Sequence, residues 1–264
     1  MLQLQEDWND WLQSEFKQLD QYKDKNMFDK PTNLPPHANL LHLLWTSIIK
    51  DDKTKKARCV CNGSPRMTRS VTLVETYTDS FDQVAFKVFW AATAINNYIV
   101  LGVDAANAFA EAGAPKAPLY VTIDKPYREW HKSRFPNEPN IPDKVVLQVN
   151  GALQGHPESP RLWSKLIDGI IRELNLKPCH HEPCLYYTKN IFGYNKKVLF
   201  LRQVDDFAIA CEDKQTAEKV VQAIDSKMTI QIKNLGLPTR LNGIDIVQTK
   251  QYIKLHNKPI SIKY

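Results

Sequence analysis

The sequence has no long uninterrupted hydrophobic run. Its most apolar stretch, residues 88–103, is broken by Asn96 and Asn97 and falls short of the ~18 apolar residues that a membrane-spanning helix needs. The first residues also lack the basic start and the apolar run of a secretory signal. We therefore expect a protein with no membrane partner that is not secreted and stays inside the cell, in the cytoplasm, the nucleus or both.

Cysteine is also scarce, and its pattern argues against a disulfide framework. The five cysteines are an odd number at irregular spacing, which fits reduced intracellular thiols. The segment 179–184 (CHHEPC) crowds four candidate zinc ligands into six residues, whereas structural zinc sites usually join two separated pairs. We interpret this segment as the entry to a strand, with a zinc site as the lesser alternative.

The positive charge is concentrated in one segment. The formal net charge is +6, but residues 50–69 alone hold seven basic and two acidic residues, a local charge of +5. Such a block can attract polyanions, and the alternative is an ordinary solvated face. Strand-like runs at 40–49 and 56–61 place these lysines near a loop between two strands.

Hydrophobic periodicity predicts an α+β fold, with helices packed on a mostly antiparallel sheet. Ser80, with Gln83 three residues later, has the pattern of a capping box at the start of one helix. Its core stripe is predicted to be Phe81, Val84, Ala85, Val88, Phe89, Ala92 and Ile95. The other predicted helices cover 8–19, 159–174 and 214–228, and further strands cover 98–103, 184–188, 198–202 and 207–211.

Three aspartates follow or join strand-like runs. Asp205 and Asp206 lie between the runs 198–202 and 207–211, which predicts a hairpin with two carboxylates at its tip. Aspartates also form ordinary turns, but two like charges held together are repulsive unless a cation or a proton intervenes. Asp104 follows the run 98–103; alone it would more often cap a helix over 105–111. If its strand lies beside the hairpin, the three carboxylates converge into a set of oxygen ligands suited to Mg²⁺.

Seven segments, in order along the chain, resemble the reverse transcriptase domain of copia-type LTR retrotransposons. None is specific alone, but their order covers nearly the whole sequence. In the box that usually reads Tyr-x-Asp-Asp, Gln203 replaces the tyrosine, and Asn242 departs from the late Leu-Gly element. The segments are KARCV (56–60), VDAANAF (103–109), LYVTIDKP (119–126), ALQGHPESPRLW (152–163), CLY (184–186), QVDD (203–206) and LNGIDI (241–246).

This resemblance implies the fingers and palm of a right-hand polymerase. The expected regions are an N-terminal helix (1–30), fingers (31–97), a palm (98–246) and a truncated C-terminal segment (247–264), with the thumb absent or incomplete. The implied activity is RNA-directed DNA polymerisation. Two alternatives stay open: a catalytically inactive retroelement remnant that at most binds nucleic acid, and an unrelated two-metal phosphohydrolase that uses the same carboxylates.

The resemblance also implies roles for individual residues. Asp104, Asp205 and Asp206 would hold two Mg²⁺ ions, or Mn²⁺ in their place. Nucleotide contacts would come from Lys56, Arg58, Phe109, Gln154 and Gly155, and primer positioning from Leu241 and Gly243. The plainer alternatives are a surface pair for Lys56 and Arg58, a core residue for Phe109 and a turn for 154–155. Implied partners are an RNA or DNA template–primer and deoxynucleoside triphosphates, with an RNase H or thumb region or a second polymerase chain as further candidates.

Phe109 provides a test of the resemblance. In this family the aromatic side chain at that place is a steric gate against a ribose 2′-hydroxyl, so Phe109→Ala is expected to admit ribonucleotides. The measurement is the ratio of kcat/KM for a deoxynucleotide to that for the matching ribonucleotide. Phe192→Ala, outside the resembling segments, serves as the control, and an unchanged ratio in Phe109→Ala would rule out the gate.

Overall fold

A computed structural model describes residues 7–50, 52–64, 67, 76–229, 232–249 and 251–256. The chain divides into two compact units, each built from two separate stretches. Unit 1 comprises Met1–Tyr77 and Phe109–Trp163, and unit 2 comprises Thr78–Ala108 and Ser164–Tyr264. Three charged residues of the basic block, Asp51, Arg66 and Arg69, lie outside the described residues. The fingers and palm boundaries given above stay a prediction.

The described residues form five α-helices and fifteen strands. The helices are α1 (Trp8–Asp24), α2 (Gln83–Ile95), α3 (Lys125–Arg134), α4 (Ser159–Glu173) and α5 (Lys214–Asp225). The strands are β1 (Thr32–Asn33), β2 (Asn39–Leu41), β3 (Leu43–Ile49), β4 (Lys55–Cys61), β5 (Ile99–Ala105), β6 (Leu119–Thr122), β7 (Val145–Val149), β8 (Lys177–Pro178), β9 (Leu185–Thr188), β10 (Val198–Gln203), β11 (Asp206–Cys211), β12 (Ile232–Gly236), β13 (Arg240–Leu241), β14 (Ile244–Gln248) and β15 (Ile253–His256). None of the helices in this part of the chain is both long and apolar enough to cross a membrane.

Unit 1 combines a four-stranded sheet with a long hairpin. The sheet has the order β1-β7-β6-β2, and β3 pairs with β4 in the hairpin. The predicted strand 40–49 is therefore interrupted at His42, because β2 pairs in parallel with β6 whereas β3 pairs with β4. Helix α1 packs on β4 and α3, and its aromatic and aliphatic side chains join those of the sheet in one core.

Unit 2 is built on a six-stranded antiparallel sheet of order β12-β5-β11-β10-β9-β8. Helix α2 shares a core with side chains of β5, β10 and β11, and α5 packs against β5, β11 and β12. A small sheet of β13, β14 and β15 adds Leu241 and Ile246 to the same core as α2. Helices on mostly antiparallel sheets confirm the predicted α+β class.

The start and the buried face of α2 differ from the prediction. Asp82, not Ser80, caps the helix, because the Asp82 carboxylate accepts a hydrogen bond from the backbone N–H of Ala85 at 2.6 Å.

The buried face of α2 also differs: the predicted stripe members Val84, Val88 and Ile95 are exposed. The sequence of this helix is apolar on nearly every side, so periodicity alone could not select a face. The larger aromatic rings are buried instead, since they remove the most apolar area from water; the buried set is Ala85, Phe86, Phe89, Trp90 and Thr93.

The remaining predicted elements agree closely with the structure. Helix α4 begins at Ser159 as expected, but the Ser159 hydroxyl donates to the Leu153 carbonyl at 2.6 Å. Helix α5 ends at Asp225, three residues before the predicted end. Asp104 lies within β5 and caps no helix, because the segment after it forms only a short 3₁₀ turn, Ala108–Glu111.

Helix α1 buries a carboxyl group. Glu15 is only 4% exposed, and no hydrogen-bond partner for its Oε2 is found among the described residues. Burial raises its pKa from 4.5 to about 7, and the negative charges of Asp124 and Glu129 add to the effect. Since the folded pKa lies above the unfolded one, ionised Glu15 destabilises the fold: stability falls as pH rises from 4.5 to about 7 and stays low above that.

We therefore expect Glu15→Gln to gain stability relative to the parent protein as pH rises. The difference in the free energy of unfolding should grow by on the order of 2–3 kcal/mol between pH 5 and pH 8. Urea unfolding at several pH values measures it. Glu212→Gln, a change at an exposed glutamate, should show a flat difference, and a flat profile for Glu15→Gln would contradict the prediction.

Candidate active site

The hairpin that joins β10 to β11 has the two-residue loop Val204-Asp205. Gln203 and Asp206 are its last paired residues. Val204 has φ of 51°, a left-handed conformation that a β-branched residue rarely adopts and that costs about 1–3 kcal/mol. The Ala105 N–H, at the end of β5, donates to the Asp205 carbonyl at 2.9 Å. The strand that carries Asp104 therefore also holds the strained tip in place.

Four side chains form one row across four neighbouring strands of unit 2. Asp206 on β11 is the register partner of Asp104 on β5. Gln203 on β10 extends the row on one side, and Lys233 on β12, the partner of Asp104, extends it on the other. Directly opposite residues of an antiparallel sheet point to the same face with Cα atoms about 4.5–5.5 Å apart. The row thus runs from a cation through two carboxylates to an amide.

The carboxylates of this row repel each other. Burial raises the pKa of Asp206 from 3.8 to about 6, and the negative charges of Asp205 and Asp104 raise it further in the same direction. Such a shift in a half-buried group is typical of functional carboxylate clusters. The repulsion would be relieved by a bound cation or by a proton.

The donor set fits a hard divalent cation in its chemistry. Carboxylate oxygens are the ligands that Mg²⁺ prefers, and Asp104, Asp205 and Asp206 supply three of them from adjoining positions. Among the described residues, however, no three His, Cys, Asp or Glu side chains are gathered tightly enough to hold one ion. In the segment 179–184, Cys184 is buried, and Glu182 accepts hydrogen bonds from the backbone N–H groups of Asp82 and Cys184.

The predicted triphosphate contacts lie in unit 1 on one strand. Along β4, Ala57, Cys59 and Cys61 are buried, whereas Lys56 and Arg58 alternate with them and are half-exposed on the other face. The strand thus separates its apolar side, which packs on α1, from a side that presents two cations. A pair of cations on one face is a suitable arrangement for binding phosphate groups.

The segment Gln154-Gly155 is fixed to the end of this same strand. The Cys61 N–H donates to the Gln154 carbonyl at 2.9 Å. Gly155 has φ of +93°, and a Cβ atom there would overlap the Cys61 carbonyl. A Cβ atom at Gly63 would likewise overlap the Gly155 carbonyl. The close backbone approach expected at Gly155 is therefore made to the chain itself, and it places Gln154 beside the strand of Lys56 and Arg58.

The remaining predicted site residues are Phe109, Leu241 and Gly243. Phe109 lies in the 3₁₀ turn after β5 and is half-buried. Leu241 is 5% exposed and belongs to the core of unit 2. Asn242 (φ 48°) and Gly243 (φ 77°) form the two-residue turn between β13 and β14, where positive φ at both positions favours Asn-Gly. Asn242 is thus a turn former, and primer positioning by Leu241 and Gly243 stays a prediction.

Comparison with known proteins identifies the family to which the chain belongs. The family model described as reverse transcriptase (RNA-dependent DNA polymerase) matches residues 26–261. The chain belongs to the reverse transcriptase family. The resemblance to copia-type retrotransposon domains drawn from the seven segments is confirmed.

Two individual proteins are similar to this reverse transcriptase domain over most of its length. The chain is 22% identical over 236 residues to the retrovirus-related Pol polyprotein from transposon TNT 1-94 of Nicotiana tabacum, and the match covers 88% of the chain and 17% of the polyprotein. It is also similar to the foamy viral protease-reverse transcriptase dRH in complex with double-stranded DNA, at 15% identity and a TM-score of 0.48 over 92% of this chain and 35% of that one. The chain therefore spans about a sixth of the length of the curated relative.

Sequence reasoning missed two residues that the structure brings to this candidate site. Lys233 lies in a segment without a recognisable motif, and only the pairing of β12 with β5 places it opposite Asp104. Ser80 was predicted to cap α2, but its hydroxyl donates to the Gln203 Oε1 atom at 3.1 Å. A positive charge across from a carboxylate is a favourable cross-strand pair. No local sequence signal could have found either contact.

We expect Asp206→Asn to stabilise the metal-free reverse transcriptase domain at pH 7.5. The pKa of Asp206 is raised, so its ionised form carries a penalty that is present above about pH 6, declines as pH falls towards 3.8 and vanishes below that. The expected gain at pH 7.5 is about 1–2 kcal/mol in the free energy of unfolding. Mg²⁺ should stabilise the parent more than the variant, since binding removes the repulsion.

Chemical unfolding with and without Mg²⁺ measures both effects. Asp143→Asn, a change at a fully exposed carboxylate, is the matched control and should leave stability and the Mg²⁺ response unchanged. If Asp206→Asn responded to Mg²⁺ as strongly as the parent, Asp206 would not be a ligand.

Proposed function

We propose that this chain is an RNA-directed DNA polymerase domain that adds deoxynucleotides to a primer 3′-hydroxyl. The observation that carries the proposal is the placement of Asp104 and Asp206 side by side on paired strands, with Asp205 at the strained tip beside them. Members of the family generally use divalent metal ions. Asp104, Asp205 and Asp206 are the residues that would hold two Mg²⁺ ions, or Mn²⁺, in this chain.

The reaction is an in-line phosphoryl transfer. The primer 3′ oxygen forms a bond to the α-phosphorus of the nucleotide, the bond from that phosphorus to pyrophosphate breaks, and the hydroxyl proton is lost. When bound, the metal ions lower the pKa of the hydroxyl and neutralise charge on the leaving pyrophosphate. The protein supplies no nucleophile, so its contribution is to fix carboxylates and cations in place. The six-stranded sheet does this for the carboxylates because each lies on or beside a strand paired on both edges.

The nucleotide contacts are proposed for unit 1. Lys56 and Arg58 present their charges from one face of β4, where an arginine can bind phosphate oxygens bidentately. Gln154 is held beside that strand by the backbone contact with Cys61 and is the proposed contact to the sugar or base. Phe109 is the proposed gate against ribonucleotides.

The proposed partners are a template–primer duplex and deoxynucleoside triphosphates. Lys50 and Lys53 lie in the loop between β3 and β4, and Lys55, Lys56 and Arg58 follow on β4, where Lys55 pairs with Asp7 and Asp10. We propose this group of cations as the contact to the phosphates of the duplex, so binding of the duplex should weaken with salt. All five cysteines are free thiols, in keeping with the intracellular location that we propose.

Primer extension tests the function. On an RNA template with deoxynucleotides and Mg²⁺, the parent chain should extend the primer, and Asp205→Asn should lose activity by on the order of 10²–10³. Asp143→Asn should keep full activity.

Two other outcomes of this experiment would favour a different function. A folded parent chain that binds the duplex without extending it would favour an inactive remnant. Release of phosphate from nucleotides or esters without extension would favour a two-metal phosphohydrolase.

A further inference from the structure

Phe109, the proposed gate, lies in a short turn whose direction depends on its flanks. The 3₁₀ turn Ala108–Glu111 has four residues, and the Ala112 N–H closes it by donating to the Phe109 carbonyl at 3.0 Å. A single turn of helix is not stable by itself, because few hydrogen bonds offset the ordering of its backbone. The contacts of the residues on either side therefore hold Phe109 in place.

The last residue of this turn forms a buried ion pair. The Glu111 carboxylate pairs with the Lys25 ammonium, and the Lys25 and Glu111 side chains are only 8% and 5% exposed. Removal of two charges from water costs free energy that their attraction offsets only in a well-defined geometry, so a buried pair adds little to stability. Such a pair can instead select one arrangement over others. The arrangement that this pair selects places the turn against the end of α1.

The backbone at Lys25 is itself anchored in the core of unit 1. Its N–H donates to the Tyr22 carbonyl at 3.3 Å, and the Met27 N–H donates to the same carbonyl at 2.9 Å. Tyr22 is 5% exposed, and its hydroxyl donates to the Cys59 carbonyl of β4 at 2.8 Å. The ammonium group that Glu111 contacts thus extends from a fixed point.

The other flank of the turn is joined to the segment that carries Gln154. The Ala152 N–H donates to the Ala112 carbonyl at 2.9 Å, and Gly113 pairs with Gly151 in an isolated antiparallel bridge. The proposed gate and the proposed contact to the sugar or base therefore share one set of backbone contacts. The ion pair of Glu111 ties this set to α1.

We propose that Lys25 is a specificity-determining residue that, through its ion pair with Glu111, orients Phe109 against the ribose 2′-hydroxyl. This inference rests on the proposed polymerase function and on Phe109 as its gate. Lys25 is a positioning residue, because its buried side chain acts through Glu111 and not on the nucleotide.

The geometry of the turn explains why discrimination depends on the pair. Each residue of a 3₁₀ helix is rotated by about 120° from the one before it, so Phe109 and Glu111 leave the turn in different directions. A rotation that moved the Phe109 ring would have to pull Glu111 away from Lys25. A displacement of about 1 Å in a positioning group can change a rate by up to about 100-fold. The ribonucleotide, which meets the ring, should gain from such a displacement, whereas the deoxynucleotide should be little affected.

Single-nucleotide incorporation tests the proposal with Lys25→Met, which removes the charge and keeps a long side chain. The ratio of kcat/KM for a deoxynucleotide to that for the matching ribonucleotide should fall by about 10- to 100-fold. The fall should come from better use of the ribonucleotide. Lys17→Met, a change at an exposed lysine of α1, is the matched control and should keep the parental ratio.

Two further variants separate positioning from general damage. Lys25→Arg keeps the charge and should keep most of the ratio. Glu111→Gln keeps the size of the side chain and should lower the ratio in the same direction as Lys25→Met, so it decides the matter if Lys25→Met does not fold. A parental ratio in either folded neutral variant, or an equal loss of kcat/KM for both nucleotides, would overturn the proposal. Failure of both to fold would show that the pair serves the fold alone and would overturn it as well.

Fluorine NMR gives a readout that does not need polymerisation. With 4-fluorophenylalanine in place of Phe109, Lys25→Met should shift the fluorine resonance, whereas Lys17→Met should leave it unchanged. If the resonance shifts but the parent neither binds nucleotide nor extends a primer, the polymerase function and the role in selectivity are refuted, and only the orientation of Phe109 by Lys25 is supported. An unshifted resonance in Lys25→Met would overturn the proposal whether or not the parent is active.

Discussion

The antiparallel pairing of β5 with β11 is the constraint on which the rest of unit 2 depends. It sets Asp206 opposite Asp104, and its register is fixed because a slip of one residue would turn every buried side chain of β11 towards the other face. Phe207, Ala208, Ile209 and Ala210 of β11 are all fully buried, with Phe207 and Ile209 on one face and the two alanines on the other. A slip would therefore exchange large and small side chains in two packed layers. The positions of the two carboxylates are therefore a consequence of core packing. The chemistry needs no separate structural element to bring them together.

The same pairing forces the fold to accept unfavourable local features. Burial of Asp206, together with repulsion from Asp205 and Asp104, raises its pKa to about 6. Val204 adopts a backbone conformation that suits glycine or asparagine better. Both features lie at or beside the loop between two central strands whose other residues are paired and mostly buried. A well-packed sheet can hold strain at the ends of its strands, and functional sites are common places for such strain.

Unit 1 brings together two segments that are distant in sequence. The end of β4 and the segment Gln154-Gly155 meet backbone to backbone, and two glycines, Gly63 and Gly155, leave no side chain in the way. Lys56 and Arg58 then share a face of β4 beyond this junction. The glycine in the segment 152–163 is thus required by the fold, whether or not a nucleotide also approaches it.

The sequence by itself determined the class of the fold and the identity of the carboxylates. Apolar runs of strand length located β5, β9, β10 and β11, the four central and best-buried strands of the unit 2 sheet, because burial of a sheet core demands such runs. The two edge strands, β8 and β12, carry no such run and were not predicted. The sequence did not determine which face α2 buries, since that helix is apolar on almost all sides, or where the helix starts, since Ser80 and Asp82 are both good caps. Only the tertiary structure decided that Lys233 lies opposite Asp104 and that Ser80 bonds to Gln203. These contacts join residues 129 and 123 positions apart, and no local pattern records a pairing that arises only when distant strands are aligned.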